Sequence, residues 1–599
     1  MLELETGDPE AKIYYTLDGS EPDESSSIYN SPIKIDSRRG EPNVLSNIPT
    51  SPDYKEPVEE VFKVTVVRAR AIKDSNTISS VVTHTYIVDE SNEVDKKRYS
   101  LPVISISTDS DNLFDPYYGI FVPGANFNEE RKSHSGNYHK KGGEWERPIH
   151  IEFFEPDGTP GFSQNAGLKT HGYSSRNAPN KAMRIYANDL YYDSDIFNYP
   201  IFPGLLKPNS NEPLTEFNGF ILRNSGNDYS ETYFRDAVLQ SLVSHLGIHT
   251  QAYRPAVVFI NGEYWGIYNI REDFDGWYFA TRYDVDIDEV VTLEGPEGRV
   301  KAGKPEDNIP YLEMVEFVKK NVNSGTINNP DVYAKINTLI DIDNFINYFA
   351  SEIFFCNLDW PQRNIGFWRI KTETYNPDAP YGYDGRWRCM LFDVDYGFGL
   401  WGYSAEKNLL DHTAGANKLF ASLLENNEFR YQFINTMADL LNSIFRPEYT
   451  VAKIEEAKSV LAPEMPEHLK RWNYLDGSVE RWNKEAQDMI DFAIERPSFQ
   501  IQHMIEFFSL PGTVEINLIA DSQKGYIKIN SLELREETPG IENPKNWKGT
   551  YFKEVPVNIT AIPYSGYKFS GWDGIDNNNP SITVTPEEDL TLTAVFTEK

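Results

Sequence analysis

Alternating apolar and polar positions dominate the first 95 residues. The run from Lys12 enters an Asp-Gly turn, and further alternating or apolar runs cover 61–71 and 80–87. A period of two predicts strands that bury one face, and Asp-Gly between such runs predicts a tight turn. We therefore predict a small β-sandwich over residues 1–95, with the charged segment 89–97 as a linker.

Residues 96–335 mix runs of strand length with one helical pattern. The apolar runs that predict strands are 101–106, 149–154, 182–186, 219–223 and 256–260. Asn261-Gly262 follows the last of these and predicts a hairpin into 264–268. Apolar residues of 230–246 recur at helical spacing, so we predict a sheet with at least one long helix against it.

From residue 336 to 510 the pattern becomes helical. Ile340–Phe355 is strongly apolar and opens with Asp341 and Asp343, acids that suit a helix N-terminus. The further predicted helices are 418–424, 429–444, 450–461 and 479–495, with strands at 365–370 and 386–392 before them. This order predicts a bilobal domain over 96–510, with a strand-rich lobe 96–335 and a helical lobe 336–510.

Alternation returns in residues 511–599. The runs 514–520, 555–562 and 590–596 read as strands of a small β domain. The chain is therefore predicted to be a multidomain α+β protein, with small all-β domains at both ends of the central domain.

Composition narrows the classes of function. The formal net charge of −34 argues against nucleic-acid binding through the general surface. No run approaches the roughly 20 apolar residues that cross a bilayer, so we expect no membrane span.

Only Cys356 and Cys389 are present, both in apolar runs, and two buried thiols are favoured over a disulfide. The first residues lack the pattern of a signal peptide, which we expect to be missing from this sequence.

Asp359, Asn364 and Asp395 make the most specific chemical prediction. Asp359 and Asn364 lie five residues apart, and Asp395-Tyr-Gly follows an apolar run. Kinase-type phosphoryl transfer needs a carboxylate to receive the acceptor proton and oxygen ligands that hold a divalent metal on the phosphates. The pattern predicts Asp359 as the base, with Asn364 and Asp395 as ligands. Asp393, expected on the same face of an extended strand, is the rival ligand.

A hydroxyl-rich loop between two predicted strands is the second candidate site. It contains Ser174, Ser175 and Arg176 and ends at Lys181. Serine hydroxyls and backbone N–H groups can hold phosphates, and Arg176 or Lys181 can meet their charge. The alternative is an ordinary hairpin with solvated basic residues.

Two strand ends supply further candidates for nucleotide contact. Arg223 ends a predicted strand and is a second candidate for the phosphates. Glu272 follows a strand at a place where a nucleotide could lie between lobes. The alternative for Glu272 is an exposed charge at a strand end.

These motifs resemble the CotH family of spore-coat protein kinases. The matching stretches are Leu101–Ile106, Gly172-Tyr-Ser-Ser-Arg176 with Lys181, Gly266–Glu272, Asp359–Asn364, Asp393–Gly399, and Leu419–Leu424 followed by Phe429-Arg430. The resemblance implies an atypical protein-kinase-like fold that uses ATP and Mg²⁺ or Mn²⁺ to phosphorylate Ser or Thr of secreted or surface proteins. The sequence departs from ordinary kinases, because no His-Arg precedes Asp359 and no Gly-x-Gly-x-x-Gly is present.

The terminal domains resemble modules of bacterial surface proteins. The N-terminal stretch Tyr14–Pro22 is similar to the accessory sandwich of chitobiase-like enzymes, and Gly566–Trp572 resembles a divergent internalin-type B repeat. This resemblance implies an extracellular or cell-surface location in a bacterium. It also implies polysaccharide or cell-surface components as partners of the β domains, and we expect a monomer.

Three functions remain open from the sequence. The first is an ATP- and metal-dependent protein kinase, and the second is a non-catalytic adhesin or carbohydrate-associated scaffold. The third is nucleotidyl transfer by the same pocket.

Overall fold

A computed structural model describes residues 1–74, 77–89, 98–188, 190–191 and 194–599. These residues form two compact units. The first comprises Met1–Tyr233, Gln251–Asp284 and Lys458–Glu485, and the second comprises Phe234–Thr250, Val285–Ala457 and Ala486–Lys599. Helices and several separate sheets are present, which confirms the multidomain α+β class. Most of the predicted linker, 90–97, and the predicted boundary after residue 95 lie outside the described residues.

The N-terminal part of the first unit is a five-stranded antiparallel sheet. Its strands are Lys12–Thr16, Ser27–Ile28, Thr65–Asp74, Thr77–Ile78 and Val82–Tyr86. The long strand Thr65–Asp74 is central, because three of the other strands pair with it. Its consecutive residues Val66 and Val67 are both buried, so this strand is covered on both faces rather than on the one face that alternation predicts.

The rest of the first unit is built around a closed seven-stranded barrel. In spatial order the strands are Gly219–Arg223, Glu263–Arg271, Tyr253–Ile260, Val103–Ser107, Arg147–Phe154, Pro160–Thr170 and Met183–Tyr186. The predicted hairpin at Asn261-Gly262 is present, with a register shift after Val258. Smaller elements are the strands Phe197–Asn198 and Glu216–Phe217 and the helices Ser110–Phe114, Gly276–Tyr283 and Met465–Trp472.

The helix Met465–Trp472 packs against the barrel hairpin. His468 Nδ1 accepts a hydrogen bond from the Ile267 backbone N–H at 3.0 Å, and the Trp472 indole donates to the Trp265 carbonyl at 3.0 Å. Gly266 lies between these contacts with φ of +110°, and a Cβ there would come within 2.6 Å of the Trp472 indole nitrogen. A glycine is therefore required where the helix meets the hairpin.

The second unit has a five-stranded sheet surrounded by helices. In spatial order the strands are His249–Thr250, Arg388–Leu391, Gly366–Ile370, Val290–Glu294 and Arg299–Ala302. The helices are Arg235–Val243, Ile309–Asn323, Pro330–Asn337, Ile342–Phe355, Leu409–Ala416, Lys418–Leu424 and Asn427–Leu441, together with Pro447–Leu461 and Val479–Phe508, whose residues are divided between the units. The predicted helix 230–246 is shorter than expected, since residues before Arg235 form turns.

The apolar helix Ile342–Phe355 is held at both ends. Asp341 caps its N-terminus by accepting from the Asn344 backbone N–H at 3.3 Å. At its C-terminus the buried Arg496 guanidinium donates to the carbonyls of Phe354 at 3.0 Å and Ile353 at 2.7 Å. The last carbonyls of a helix lack the regular hydrogen bond of the helix interior, and a cation at this end also suits the helix dipole.

The C-terminal part of the second unit contains two four-stranded sheets. One has the strands Asn546–Phe552, Thr513–Ala520, Leu590–Glu598 and Tyr567–Asp573, and the other has Leu532–Glu533, Gly525–Ile529, Val557–Pro563 and Ser581–Val584. The buried Asp439, on helix Asn427–Leu441, accepts from the Tyr551 hydroxyl at 2.8 Å and the Ser531 hydroxyl at 2.6 Å. This carboxyl attaches the C-terminal strands to the helices.

The two cysteines are free and buried, as predicted. Burial raises the pKa of both thiols above the ordinary value. Within the described part of the chain, no helix has the length and apolar content needed to span a membrane.

Candidate functional site

Asp359 lies in a loop that begins where helix Ile342–Phe355 ends. Cys356 adopts the left-handed conformation, with φ of +55°, and turns the chain away from the helix axis. The side chain of Asn357 then accepts from the Asp359 backbone N–H at 3.3 Å. Trp360 is fully buried and its indole donates to the Tyr348 hydroxyl at 2.9 Å, which anchors the loop to the helix.

The structure brings Asp359 and Asn364 together. The Asn364 side-chain amide donates to Asp359 Oδ2 at 3.3 Å, and Asn364 itself has a φ of +56°. About a third of the Asp359 side chain is exposed, at 37%, so the carboxylate can reach a bound molecule. Arg363 lies 4.0 Å from Asp359 Oδ1, but it is largely solvated and contributes little to stability.

Asp393 and Asp395 occupy different environments. The strand that precedes them ends at Leu391, and Asp393 adopts a φ of +58°. Our expectation that both carboxylates share one face of an extended strand was therefore wrong, because the chain turns at Asp393. Asp393 is half-buried, whereas Asp395 is 1% exposed.

Contacts within the second unit fix the loop that carries these two acids. Asp236, on helix Arg235–Val243, accepts from the Val394 backbone N–H at 3.0 Å. The Phe398 N–H donates to the Phe355 carbonyl at 2.8 Å. A Cβ on Gly397 would come within 2.8 Å of the same Phe355 oxygen, so the glycine of Asp395-Tyr-Gly permits this close approach. The loop therefore lies directly against the end of the helix that leads to Asp359.

The charges of the site act on each other. Burial raises the pKa of Asp359 above its ordinary value, and the negative charge of Asp393 adds to this shift. Arg363 and the hydrogen bond from Asn364 oppose it. Burial, with the neighbouring Tyr403, raises the pKa of Tyr396 to about 12, and Asp359 and Asp395 add to that shift. The charges of both carboxylates therefore act on the Tyr396 hydroxyl.

A buried polar pair beneath the loop was not predicted from the sequence. Glu352 and Asn357 are both 0% exposed, and Asn357 Nδ2 donates to Glu352 Oε2 at 3.0 Å. The available signal was a carboxylate inside a strongly apolar helix, since buried acids are rare without a partner. Asp236 was missed as well, because it resembles any acid in the first turn of a helix.

The oxygen atoms of this site fit a divalent metal whose other ligands are waters and substrate phosphates. Among the described residues, no three His, Cys, Asp or Glu side chains come close enough to hold a metal ion by themselves. A magnesium ion usually keeps waters and takes one or two carboxylates together with substrate phosphates. Because Asn364 directs its amide nitrogen to Asp359, its Oδ1 is the atom suited to a cation. The mutual repulsion of Asp359 and Asp393 is a feature that a cation would relieve.

The hydroxyl-rich loop lies in the first unit. Ser174 and Ser175 line a polar cavity of about 510 Å³. Arg176 is buried and donates to the carbonyls of Gly172 at 2.7 Å and Tyr138 at 3.1 Å, so its guanidinium shapes the loop. Lys181 is 1% exposed, and its ammonium donates to the Arg176 carbonyl at 2.7 Å and lies 3.7 Å from the centre of the Tyr138 ring. Burial holds the pKa of Lys181 well below its ordinary value.

Arg223 and Glu272 are both on the barrel. Arg223 ends the strand Gly219–Arg223 and is half-buried. Glu272 is buried rather than exposed, and its Oε1 forms an ion pair with Arg282 at 2.6 Å. It also accepts from the Ala252 backbone N–H at 2.9 Å. Glu272 therefore has internal partners within the first unit.

Comparison with protein-family models identifies the family of the chain. Residues 168–500 match the family model described as CotH kinase protein, which covers more than half of the chain, and the chain therefore belongs to this family. Residues 2–86 match the Fn3 associated model, and residues 541–599 match the divergent InlB B-repeat domain. Both flanking modules are thus confirmed as modules of known families.

A characterised relative is similar over part of the chain. The inner spore coat protein H of Bacillus subtilis (strain 168) is 23% identical over 291 residues. The matched region is 45% of this chain and 74% of that protein.

Proposed function

We propose that this protein is an ATP- and divalent-metal-dependent protein kinase that phosphorylates Ser or Thr of secreted or surface proteins. The observation that carries the proposal is the juxtaposition of Asp359 with Asn364 by a hydrogen bond and with Asp393 by charge. These are the parts that kinase-type transfer requires. Membership of the CotH family supports the same reaction class, and the proposal includes its bilobal kinase-like arrangement.

In this proposal Asp359 is the base. Its exposed carboxylate orients the acceptor hydroxyl and receives its proton. A carboxylate with a raised pKa is a stronger base than an ordinary aspartate, and general-base catalysis of this kind contributes about 10²- to 10⁴-fold. Asn364 keeps Asp359 oriented through its hydrogen bond.

Asn364, Asp395 and Asp393 would hold Mg²⁺ or Mn²⁺ on the nucleotide. When bound, the metal neutralises charge on the transferring phosphoryl group. Asp393 is the more accessible carboxylate, whereas Asp395 is buried at the junction with helix Ile342–Phe355. Both carboxylates are candidate ligands, and replacing each one separately distinguishes them.

The nucleotide contacts are proposed for the first unit. Ser174 and Ser175 offer hydroxyls at the wall of the cavity. Lys181 is buried and does not line this cavity, and in the proposal it would meet phosphate charge. Lys181 has no carboxylate partner among the described residues, and its ammonium is held by a carbonyl and an aromatic ring. Burial lowers the pKa of this amine, and a phosphate bound beside it would favour its charged form. In this proposal Arg176, Arg223 and Glu272 would also contribute to nucleotide binding by the first unit.

An adhesin or scaffold is the second candidate function. The divergent InlB B-repeat and Fn3 associated modules favour it, because accessory modules are suited to surface interactions. The name of the Bacillus subtilis relative, an inner spore coat protein, supports a surface or extracellular location for this chain too. Polysaccharide or cell-surface components are the partners proposed for these modules.

Labelled ATP distinguishes the candidates. The protein is incubated with Mg²⁺ or Mn²⁺ and ATP labelled at either the γ- or the α-phosphate, with and without a Ser-rich protein acceptor. Label from the γ-phosphate on Ser or Thr supports the kinase. Label from the α-phosphate alone would indicate nucleotidyl transfer, and no transfer with a nucleotide-dependent rise in Tm would favour a binding-only domain.

A further inference from the structure

Glu352 is a buried carboxyl that contacts the start of the Asp359 loop. It is 0% exposed on helix Ile342–Phe355, and its Oε2 accepts from Asn357 Nδ2 at 3.0 Å. The Tyr348 hydroxyl is a second hydrogen-bonding neighbour of this carboxyl. An acid is seldom fully buried unless a cation pairs with it, so this carboxyl calls for a reason beyond stability.

Asn357 connects Glu352 to both loops of the candidate site. Its Nδ2, besides bonding Glu352, lies 3.5 Å from the Asp393 carbonyl oxygen. Its Oδ1 accepts from the Asp359 backbone N–H at 3.3 Å. One amide thus contacts the loop of Asp359, the loop of Asp393 and helix Ile342–Phe355. Its orientation is fixed by Glu352, since an amide that donates to the carboxyl must direct its oxygen the other way.

We propose that Glu352 is a positioning residue of the phosphoryl-transfer site, which acts through Asn357 to hold the Asp359 loop against the Asp393 loop. This inference rests on the proposed kinase function, and it adds a residue that contacts neither substrate nor metal. A rigid carboxyl–amide pair behind the reacting groups is the kind of support that precise catalytic geometry requires.

The neutral form of Glu352 is sufficient for this role. The side chain forms no ion pair among the described residues, and burial raises its pKa well above the ordinary value. The charges of Asp393 and Asp236 shift it in the same direction. A neutral carboxyl accepts from Asn357 as a glutamine oxygen does. Glu352→Gln should therefore preserve the contact that Glu352→Ala removes.

Two measurements on the full chain test the proposal. The first is kcat and KM for γ-phosphate transfer by Glu352→Ala, Glu352→Gln, Asn357→Ala and the double alanine variant. We expect each alanine variant to lose about 10- to 100-fold in kcat, as for other supporting residues behind a catalytic site. We expect Glu352→Gln to recover most of that loss. The double variant should lose no more than either single one, because the two residues act as a unit.

The second measurement is amide hydrogen exchange of the segments 356–364 and 393–398, which reports loop order without activity. Exchange should accelerate in Glu352→Ala and stay at the wild-type rate in Glu352→Gln. Asp343→Asn, near the start of the same helix, is the matched control and should change neither readout. If Glu352→Ala fails to fold, Asn357→Ala provides the same comparison.

Particular results would overturn the positioning role. These are equal impairment of Glu352→Gln and Glu352→Ala, losses that multiply in the double variant, or unchanged exchange in both segments. If wild type transfers no phosphate but the exchange pattern holds, the proposed function fails while the positioning of the loops by Glu352 stands.

Discussion

The side-chain amide of Asn364 donates to Oδ2 of Asp359 at 3.3 Å, and this contact joins the proposed base to a proposed metal ligand. Asn364 adopts a φ of +56°, a conformation that asparagine and glycine tolerate better than other residues. The residue therefore has two separable properties, its amide and its backbone conformation.

Replacing Asn364 with glycine or alanine separates these two properties. Both changes remove the amide, but only alanine adds about 1 kcal/mol of backbone strain. We expect both variants to raise the Mg²⁺ concentration needed for half-maximal transfer and to lower kcat to a similar extent. Titration of transfer against Mg²⁺ measures this. Near-normal activity of Asn364→Gly would show that only the backbone conformation matters.

Asp393→Asn and Asp395→Asn identify the metal ligand. Loss of a carboxylate ligand weakens metal binding, and a neutral amide is a poorer ligand for a hard cation. The true ligand should show a Mg²⁺ requirement raised about tenfold or more, in the range seen for weakened metal sites. Calorimetric titration of Mn²⁺ in the presence of a non-hydrolysable ATP analogue provides the measurement. Equal, unchanged affinity in both variants would exclude both residues.

Arg496 should support the site through the helix that leads to Asp359. Its buried guanidinium donates to four backbone carbonyls, those of Ile353, Phe354, Ala405 and Lys407. Arg496→Met removes four hydrogen bonds to buried carbonyls, and we expect a loss of at least about 2 kcal/mol of stability. Urea denaturation measures this loss. Arg299→Met, at a largely exposed ion pair, is the control and should change stability little, as surface pairs do. Equal stability of the two variants would contradict the proposal that Arg496 stabilises the end of this helix.

The raised pKa of Asp439 predicts that the free energy of unfolding depends on pH. Burial raises its pKa from 3.8 to about 6, although Ser531, Tyr551 and Asn530 donate hydrogen bonds that oppose the shift. The folded state therefore holds the proton more tightly, and a stabilisation that is complete below pH about 4 is lost as pH rises through about 6. A shift of about two pKa units corresponds to about 3 kcal/mol.

Asp439→Asn cannot titrate at this position. Relative to wild type it should therefore gain about 3 kcal/mol between pH 4 and pH 7. Denaturation of the C-terminal strands, followed at both pH values, measures the change. Asp576→Asn, in an exposed turn, should show no such gain. A constant difference between wild type and Asp439→Asn across this range would contradict the prediction.

Local patterns predicted many of the elements. Helix Ile342–Phe355 followed from its apolar run and the capping Asp341, and the hairpin followed from Asn261-Gly262, because both signals lie within a few neighbouring residues. Closure of the barrel was not predicted. It depends on pairing of Met183–Tyr186 with Gly219–Arg223, which is distant in sequence.

The candidate site was predictable only in part, because some of its contacts join residues that are distant in sequence. The spacing of Asp359 and Asn364 and the two later acids matches the groups that kinase-type transfer needs, so the sequence indicates them as candidates. The turn at Asp393 and the buried pair of Glu352 and Asn357 arise where the loop of Asp393 packs against the end of helix Ile342–Phe355. A residue such as Lys181 has a sequence context that indicates charge, but its burial is set by the barrel around it.

Asp359 is proposed to receive the acceptor proton during transfer of the γ-phosphate. Wild type, Asp359→Asn and Asp378→Asn, an exposed loop control, are compared for transfer from γ-labelled ATP and for nucleotide affinity. We predict that Asp359→Asn loses about 10²- to 10⁴-fold in transfer while its affinity for ATP stays near that of wild type and the control keeps full activity. Equal transfer by wild type and Asp359→Asn would contradict the account.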